Sequence, residues 1–210
     1  AYLLNIPNVG PRMTYCLMNG PNGGGWTMIM KATRATTFEY NSSYWTSSNT
    51  LNINSTDRSD ADAKFDAYNQ VTGTDLLAIW PDVGEGNNGC DANVGYGFTW
   101  RDNGRLSNET ALSWFGRVSN YNMGTPFNFC VMNTNIFSWQ DGLREYHYNY
   151  TRNGRYVRWG FAWNNEGDHG SNDVSGGIGM NSPNYSAGDY YGCCGNSRMN
   201  RSARVEIYIR

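Results

Sequence analysis

The sequence is poor in charge, in lysine and in histidine. Charged residues make up 16% of its 210 residues, against a usual share of roughly 25%. Lysine occurs only at Lys31 and Lys64 and histidine only at His147 and His169, which leaves little material for imidazole chemistry. The formal charge is -2 and the sequence pI is about 5.7. Because nucleic-acid and anionic-membrane binders carry a basic surplus, we expect neither partner.

Long apolar runs are also missing. The longest are about the length of Leu76–Trp80, far short of the ~20 residues that cross a bilayer, so we expect no membrane insertion. Residues 1–10 lack the basic start and apolar core of a signal peptide. The chain begins with Ala1 and not with methionine. We therefore expect a processed protein or the C-terminal part of a longer polypeptide.

Glycine, asparagine and aromatic residues are abundant instead. The chain holds 25 glycines and 28 asparagines, and 15% of it is aromatic. This composition predicts many turns, amide-rich loops and aromatic packing, and it argues against a helix bundle. The chain shows no internal repeat, charge block or low-complexity linker, so we expect a single domain over residues 1–210.

The local pattern predicts a mixture of strands and short helices. One helix is predicted to start at Ser59–Asp62, where Ser59 would cap the Asp62 amide, and to run to about Gln70. Residues 106–118 could hold a helix or a strand, and we favour a helix. Residues 82–104 and 164–202 read as long loops, which in compact domains are usually functional or stapled. Strands are predicted over residues 26–32, 74–80, 156–163 and 204–210, the last with Val205, Ile207 and Ile209 on one side.

Five cysteines are present, an odd number that cannot pair fully within the chain. The absence of a CxxC motif argues against zinc. We favour structural disulfides in an oxidising compartment over buried thiols, and the adjacent pair could bond to each other or to separate partners. The disulfide candidates are Cys16, Cys90, Cys130, Cys193 and Cys194.

Six Asn-x-Ser/Thr sequons form a small surplus over the number expected by chance. They are compatible with a glycoprotein. The candidate acceptors are Asn41, Asn54, Asn108, Asn149, Asn184 and Asn200.

The densest polar segment is residues 164–173, which directly follow the predicted aromatic strand. It offers carboxylates, amides and flexible glycines within ten residues, and calcium prefers six to eight oxygen ligands of these kinds. The alternative is a surface loop rich in Asx turns with solvated charges. The candidate metal ligands are Asn165, Glu166, Asp168, Asp173 and Asp189.

A sugar site is suggested by Asp189, which stands next to Tyr190 and Tyr191 and close to the cysteine pair. Aromatic rings stack on the C–H faces of sugars, and a carboxylate accepts hydrogen bonds from hydroxyls. Alternatively, both tyrosines belong to the core. The ligand-binding candidates are Asn165, His169, Asp189, Tyr190 and Tyr191.

Enzyme motifs are missing. The chain has no Gly-x-Ser-x-Gly elbow, no phosphate loop and no dinucleotide fingerprint. The number of Asp and Glu residues alone would allow the carboxylate pair of a glycoside hydrolase. We expect a protein that is not an enzyme, with no catalytic residues.

Two stretches resemble a known family. Residues 15–18 (Tyr-Cys-Leu-Met) followed by 23–27 (Gly-Gly-Gly-Trp-Thr) resemble the opening signature of fibrinogen-like domains. Residues 161–166 (Phe-Ala-Trp-Asn-Asn-Glu), 176–180 and 203–210 resemble the C-terminal half of the intelectins, or X-type lectins, a branch of the same superfamily. The segment between them, 32–160, matches only loosely.

The resemblance implies an α+β fibrinogen-like fold with a twisted, mainly antiparallel sheet, short helices and a loop-rich C-terminal region for calcium and ligand. It implies that Asn165 helps to form a calcium-centred glycan site, that Asp189 supplies an acidic ligand, and that Glu166 matches the motif. In fibrinogen-like domains the cysteine that matches Cys16 pairs with an upstream cysteine. Here either that partner lies outside the sequence, or Cys16 pairs with Cys90 or Cys130.

Together these features predict a secreted, extracellular, calcium-dependent carbohydrate-binding domain that recognises glycans or glycoproteins. The alternative is the structural or adhesive head of an extracellular filament, fibre or matrix assembly, a protein-binding module that assembles with itself or with a stalk.

Overall fold

Strands dominate the secondary structure. A computed structural model describes residues 1–20, 23–82, 98–119, 121–122, 144–152, 154–164, 166–167, 173–182, 184–191 and 200–210. Its helices are α1 (Asp66–Gln70) and α2 (Ala111–Arg117), with a 3-10 turn at Ser43–Trp45. The strands are β1 (Tyr2–Ile6), β2 (Gly10–Thr14), β3 (Cys16–Leu17), β4 (Trp26–Ala32), β5 (Ala63–Lys64), β6 (Thr72–Gly73), β7 (Leu76–Trp80), β8 (Phe98–Asp102), β9 (Glu109–Thr110), β10 (Tyr121–Asn122), β11 (Arg144–Arg152), β12 (Arg155–Trp163), β13 (Val174–Ile178), β14 (Ala187–Tyr191), β15 (Arg201–Ser202) and β16 (Val205–Ile209).

Two larger sheets carry the architecture. The first has the order β3-β4-β16-β7-β8, with β5 added to β4, and the second has the order β10-β11-β12-β13-β14-β15. Two small sheets, β1-β2 and β6-β9, lie beside them. All pairings within the described ranges are antiparallel. The expected mainly antiparallel sheets and short helices are therefore confirmed, and the fold is α+β or mainly β.

Aromatic side chains join the two larger sheets. Trp100 on β8 is fully buried, and its ring centre lies 4.8 Å from that of Trp80 on the same sheet. Across the interface the same ring lies 6.3 Å from Trp159 and 6.4 Å from Phe161, both on β12. These are edge-to-face contacts, which aromatic pairs favour. The abundance of aromatic residues thus fills the core.

The helix predicted within residues 106–118 is confirmed as α2. Thr110 caps it, because its Oγ1 accepts a hydrogen bond of 3.1 Å from the Ser113 amide. Ala111, Trp114 and Phe115 are buried, at the i, i+3, i+4 spacing of an amphipathic helix. Their burial places one face of α2 against the second sheet.

The predicted start of the first helix is wrong, although its end at Gln70 is correct. Ser59 and Asp62 lie outside α1, which begins only at Asp66. The Asp62 carboxylate instead accepts hydrogen bonds from the Thr33 amide and the Thr37 hydroxyl. Residues 63–64 pair with β4 as β5. Tertiary pairing therefore overrides the local capping pattern.

The other strand predictions are largely confirmed, with one error of pattern. Residues 26–32, 76–80, 155–163 and 205–209 are strands. However, β16 is buried on both faces and not on one, because it lies between β4 and β7 in the interior of the first sheet. Glu206 is accommodated there by Arg58, whose Nε lies 2.7 Å from Oε2 of the carboxylate.

The expectation of one long loop over residues 164–202 is also wrong. This segment contributes β13, β14 and β15 to the second sheet. Its glycines had indicated turns, but Gly176 and Gly177 lie within β13. A side chain at Gly176 would collide with the Phe161 ring, since its Cβ would lie 2.1 Å from a ring carbon. These glycines thus allow close packing in the sheet.

None of the helices in the described ranges is long and apolar enough to span a membrane.

Candidate functional site

The predicted site residues that the structure describes gather at one end of the second sheet. Strands β12, β13 and β14 are neighbours, and their register aligns Trp163 with Val174 and Val174 with Tyr191. The end of β12, the start of β13 and the end of β14 therefore lie side by side. The candidates that the structure describes here, Glu166, Asp173, Asp189 and Tyr190, lie next to these three positions, although Trp163 and Tyr190 are 27 positions apart in sequence.

Two of the predicted carboxylates lie on the connection between β12 and β13. Asp173 immediately precedes β13, is 9% exposed, and its amide donates a 2.9 Å hydrogen bond to the Trp163 carbonyl. Glu166 is exposed to solvent. The structure thus brings both acidic residues to the same end of the sheet.

Asp189 faces the core and not the solvent. It lies opposite Gly176, which lies opposite Phe161, and residues directly opposite one another share a face of a sheet. Its side chain is fully buried, and Oδ1 accepts a 2.8 Å hydrogen bond from the Arg201 amide. Burial lowers the pKa of the Arg201 guanidinium, and the charge of Asp189 acts in the opposite direction. Asp189 therefore ties β14 to β15.

Tyr190 faces the opposite side of the sheet from Asp189, as alternation along a strand requires. It lies opposite Ser175, which in turn lies opposite Ala162. The ring is half-buried and packs against a small second hydrophobic cluster. We call this side of the sheet the tyrosine face; its members are Tyr150, Val157, Ala162, Ser175, Met180, Tyr185 and Tyr190.

A change of backbone conformation in β11 brings Tyr150 to the tyrosine face. Asn149 has a φ of 49°, in the left-handed region that asparagine tolerates better than most residues. As a result, Tyr148 packs on Trp159 in the main core, whereas Tyr150 joins the opposite face. The Asn149 side chain stabilises this arrangement, since its Oδ1 accepts a 3.0 Å hydrogen bond from Arg158.

The tip of the β11–β12 hairpin reaches Tyr190. The guanidinium carbon of Arg155 lies 4.8 Å from the centre of the Tyr190 ring. Arg155 is the first residue of β12, whereas Tyr190 is aligned, across β13, with Ala162 near the last residue of β12. This contact requires the hairpin to bend over the tyrosine face. The cation thus covers part of the aromatic ring.

Two hydroxyl groups line the tyrosine face. The Tyr185 hydroxyl donates a 2.5 Å hydrogen bond to the Asp189 carbonyl, and burial raises its pKa to about 12. The Ser175 hydroxyl is fully buried and has no hydrogen-bond partner among the described residues. Such a group usually finds a partner in water or a ligand, because leaving it unsatisfied costs free energy.

His147 extends the polar character of this face. It is 2% exposed, and its ring centre lies 4.4 Å from that of Tyr150. His147 also lies opposite Gly160, which lies opposite Gly177. Two glycines, which have no side chains, therefore lie between His147 and β14 across the sheet.

Several predicted ligands lie outside the described residues. These are Asn165, Asp168 and His169; for Tyr191 only the backbone is described. The cysteines Cys90, Cys130, Cys193 and Cys194 also lie outside the described residues.

Within the described ranges, no three histidine, cysteine, aspartate or glutamate side chains come together as a metal site would require. Asp189 is engaged by Arg201, and Glu166 and Asp173 supply two carboxylates. Calcium prefers six to eight oxygens, so these residues alone do not complete its coordination. The calcium site stays a prediction of the sequence.

Cys16 carries a free thiol. Its Sγ lies 3.8 Å from the Thr14 carbonyl, and burial raises the pKa of the thiol. Cys16 therefore forms no disulfide among the residues that the structure describes. Its pairing with Cys90 or Cys130 stays a prediction, because both lie outside that part of the chain.

Asn149 does not fit the predicted role of glycan acceptor. It is 4% exposed, and its amide nitrogen donates hydrogen bonds to the carbonyls of Phe115, at 3.0 Å, and of Val118. A glycan would be attached to that same nitrogen, so the folded structure leaves no room for one. The remaining candidates are exposed: Asn41, Asn54, Asn108, Asn184 and Asn200.

Sequence reasoning missed five residues of this region: His147, Tyr150, Arg155, Ser175 and Tyr185. Their positions depend on strand register and on the bend of the hairpin, neither of which leaves a local motif. The one available signal was the asparagine within the alternating tyrosines of residues 146–150, Tyr-His-Tyr-Asn-Tyr, because asparagine tolerates a left-handed backbone better than most residues.

Comparison with known proteins adds no family. A scan against protein-family models and a search of curated proteins both find no match.

Proposed function

We propose that the chain is an extracellular, calcium-dependent carbohydrate-recognition domain of the fibrinogen-like type. The observation that carries the proposal is the position of Tyr190. Its half-buried ring lies opposite Ser175 in the sheet and under the Arg155 guanidinium. A flat, partly exposed ring beside a cationic donor suits a polyhydroxylated ligand, which offers both C–H faces and hydroxyl groups.

The acidic residues at the same end of the sheet support a role for calcium. Glu166 and Asp173 lie on the connection between β12 and β13, and β13 pairs with β14, the strand that contains Tyr190. A cation held there could bridge sugar hydroxyls to the protein, and calcium accepts such neutral oxygens readily. No covalent chemistry is needed for this function.

The Gly-Gly-Gly-Trp segment, which carries part of the resemblance to fibrinogen-like domains, has a backbone conformation that requires glycine. Gly23, Gly24 and Gly25 have φ values of 91°, 80° and 77°, which glycine adopts without strain. A Cβ at Gly24 would lie 1.8 Å from the Met18 carbonyl oxygen. The segment therefore needs glycine for its turn, and this supports the proposed family without testing its binding activity.

The test is glycan-array binding of the purified chain, multimerised on a scaffold because single lectin sites are weak. Binding is measured in calcium and again in chelator. Tyr190→Ala removes the stacking ring, and Glu166→Gln removes an exposed carboxylate without endangering the fold. Tyr156→Ala is the matched control, since Tyr156 is also half-buried and lies on β12 of the same sheet, but its ring packs against Tyr40, 5.4 Å away.

We expect binding that disappears in chelator, falls at least about tenfold in Tyr190→Ala, as loss of a stacking ring predicts, and is retained in Tyr156→Ala. Binding that persists in chelator would overturn the calcium requirement. Equal loss in both tyrosine variants would overturn the site. A folded chain that binds no glycan in either buffer would overturn the function and favour the protein-binding alternative.

A further inference from the structure

The β1–β2 hairpin is a small sheet fixed to the body of the protein through one face. Ile6 is 2% exposed, and Leu4 packs against the main core. Arg12 forms an ion pair of 3.1 Å with Asp66 on α1, and the Asn8 amide donates to Gln70. The hairpin is therefore held in one orientation.

Its other face carries exposed apolar side chains. Leu3 is 68% exposed and lies opposite Met13, which is 51% exposed. Tyr2 precedes Leu3 on β1 and is 48% exposed, on the side of the strand that Leu4 and Ile6 share. Only two other large apolar side chains of the described ranges are exposed, Met18 and Ile53. Apolar surface outside the core thus concentrates on this hairpin, which marks an interaction surface.

The outer edge of β1 has unused backbone groups. In the part of the chain that the structure describes, β1 pairs with β2 alone. Asn5 lies opposite Pro11, and proline has no N–H, so this pair is not hydrogen-bonded. By the alternation of an antiparallel ladder, the N–H and C=O groups of Leu3 and Asn5 point away from β2. They form an open edge for another strand.

The two edges of the hairpin differ in how well they resist the addition of another strand. The edge of β2 carries Pro11 and Arg12, residues that block strand addition. The sequence of β1, Tyr-Leu-Leu-Asn-Ile, contains no charge and no proline. The β1 edge is therefore the one open to pairing.

We propose that β1 pairs with β1 of a second copy of this chain, antiparallel and about a two-fold axis at Leu4. Leu3 of one copy then lies opposite Asn5 of the other, which matches the outward N–H and C=O groups of both residues. Leu4 lies opposite its own counterpart in a non-hydrogen-bonded pair, where side chains are closest. The result is a four-stranded sheet with the order β2-β1-β1-β2.

A second copy fits better than an arbitrary strand because the edge is complementary to itself. A two-fold interface uses the same patch twice, and an uncharged strand meets its copy without repulsion. Since a short strand pair buries less than the ~1,200 Å² of a standard interface, the dimer is weak and depends on concentration.

The test is sedimentation velocity of the chain across a concentration series up to the millimolar range. Leu3→Lys places like charges near the axis and removes the exposed leucine. Met18→Lys is the matched control, because Met18 is 52% exposed and lies off the hairpin. Asn5→Pro removes the outward N–H while leaving the pairing with β2 unchanged. Circular dichroism checks the fold of each variant.

We expect a reversible dimer that Leu3→Lys and Asn5→Pro weaken at least about tenfold, as like-charge pairs and a lost edge donor predict, and that Met18→Lys leaves unchanged. A chain that stays monomeric throughout overturns the proposal, and so does a dimer that all three variants leave equally strong.

The proposed register between the two β1 strands has its own test. Each variant is compared with the parent chain, because other cysteines are present. Under mild oxidation, Leu4→Cys should yield a covalent dimer, since directly opposed non-hydrogen-bonded positions suit a disulfide. Leu3→Cys should not, because its counterpart lies diagonally. Crosslinking of Leu3→Cys in preference to Leu4→Cys would overturn the proposed axis.

Discussion

The ammonium of Lys64 lies 4.4 Å from the centre of the Tyr68 ring, inside the protein. The lysine is fully buried, and its Nζ donates a 2.5 Å hydrogen bond to the Ser47 carbonyl. Burial lowers the pKa of Lys64 to about 8. The cation is thus held by a ring and a carbonyl oxygen, which compensate only partly for the lost water.

Lys64 should make stability depend on pH in the alkaline range. Because its pKa is lower in the folded state than in the unfolded chain, the unfolded chain binds more protons between about pH 8 and pH 10.5. Stability should therefore rise with pH in this window, by at most about 3 kcal/mol. Urea unfolding from pH 7 to pH 10 measures this. Lys64→Met should flatten the slope; an unchanged slope would contradict the assignment.

Asp75 should make stability depend on pH in the acid range, because its carboxylate is stabilised in the folded state. Burial alone would raise the pKa of Asp75, but hydrogen bonds from Arg210, the Gly104 amide and Thr74 together lower it. The stabilisation is fully present above the unfolded pKa of about 3.9 and is lost as the pH falls below it. Asp75→Asn should lower stability at pH 7 and reduce the loss on acidification in chemical unfolding. Glu39→Gln, at an exposed carboxyl, should behave like the parent chain.

Two glycine-to-alanine changes should act in opposite directions. A Cβ at Gly160 would lie 1.9 Å from the Gly176 carbonyl oxygen, so the alanine would push β12 and β13 apart. We expect Gly160→Ala to cost more than about 3 kcal/mol or to prevent folding. At Gly116, in α2, a Cβ would meet no atom within 4 Å, and Gly116→Ala should stabilise by about 0.5–1 kcal/mol. Thermal unfolding of both variants distinguishes these outcomes.

Asn149 should remain unmodified when the chain is secreted from a glycosylating host. Its amide nitrogen is committed to the carbonyls of Phe115 and Val118, and a glycan there would prevent the end of α2 from docking on β11. Glycopeptide mapping checks every acceptor position. Thr151→Ala, which removes this sequon, should leave the mass pattern of the glycans unchanged. A glycan found at Asn149 on folded protein would contradict this account.

Strands with strong patterns could be predicted from the sequence. Residues 26–32 and 76–80 are apolar runs bounded by turn residues, and both are buried strands. The helix at residues 111–117 also follows its apolar spacing. These elements have local signals, because burial of one face or of a short run imposes the period.

Other features could not be predicted because they depend on distant partners. The pattern at Ser59 favours a helix, yet the Asp62 carboxylate is bound to Thr33 and Thr37. Asp189 and Tyr190 are neighbours in sequence and suggested one site, but the strand that contains them points their side chains to opposite faces. Glycine-rich residues 176–177 suggested a loop, whereas the Phe161 ring over Gly176 and the Trp159 carbonyl next to Gly177 leave no room for a side chain at either position of the strand.

The position of β16 constrains how the protein is made. Val205 pairs with Ala32, across most of the length of the chain, and the same strand pairs with β7 on its other side. The first sheet therefore cannot close until residues 205–209 have emerged from the ribosome. Contacts this distant in sequence fold slowly, and during translation β4 and β7 present open apolar edges of the kind that chaperones cover.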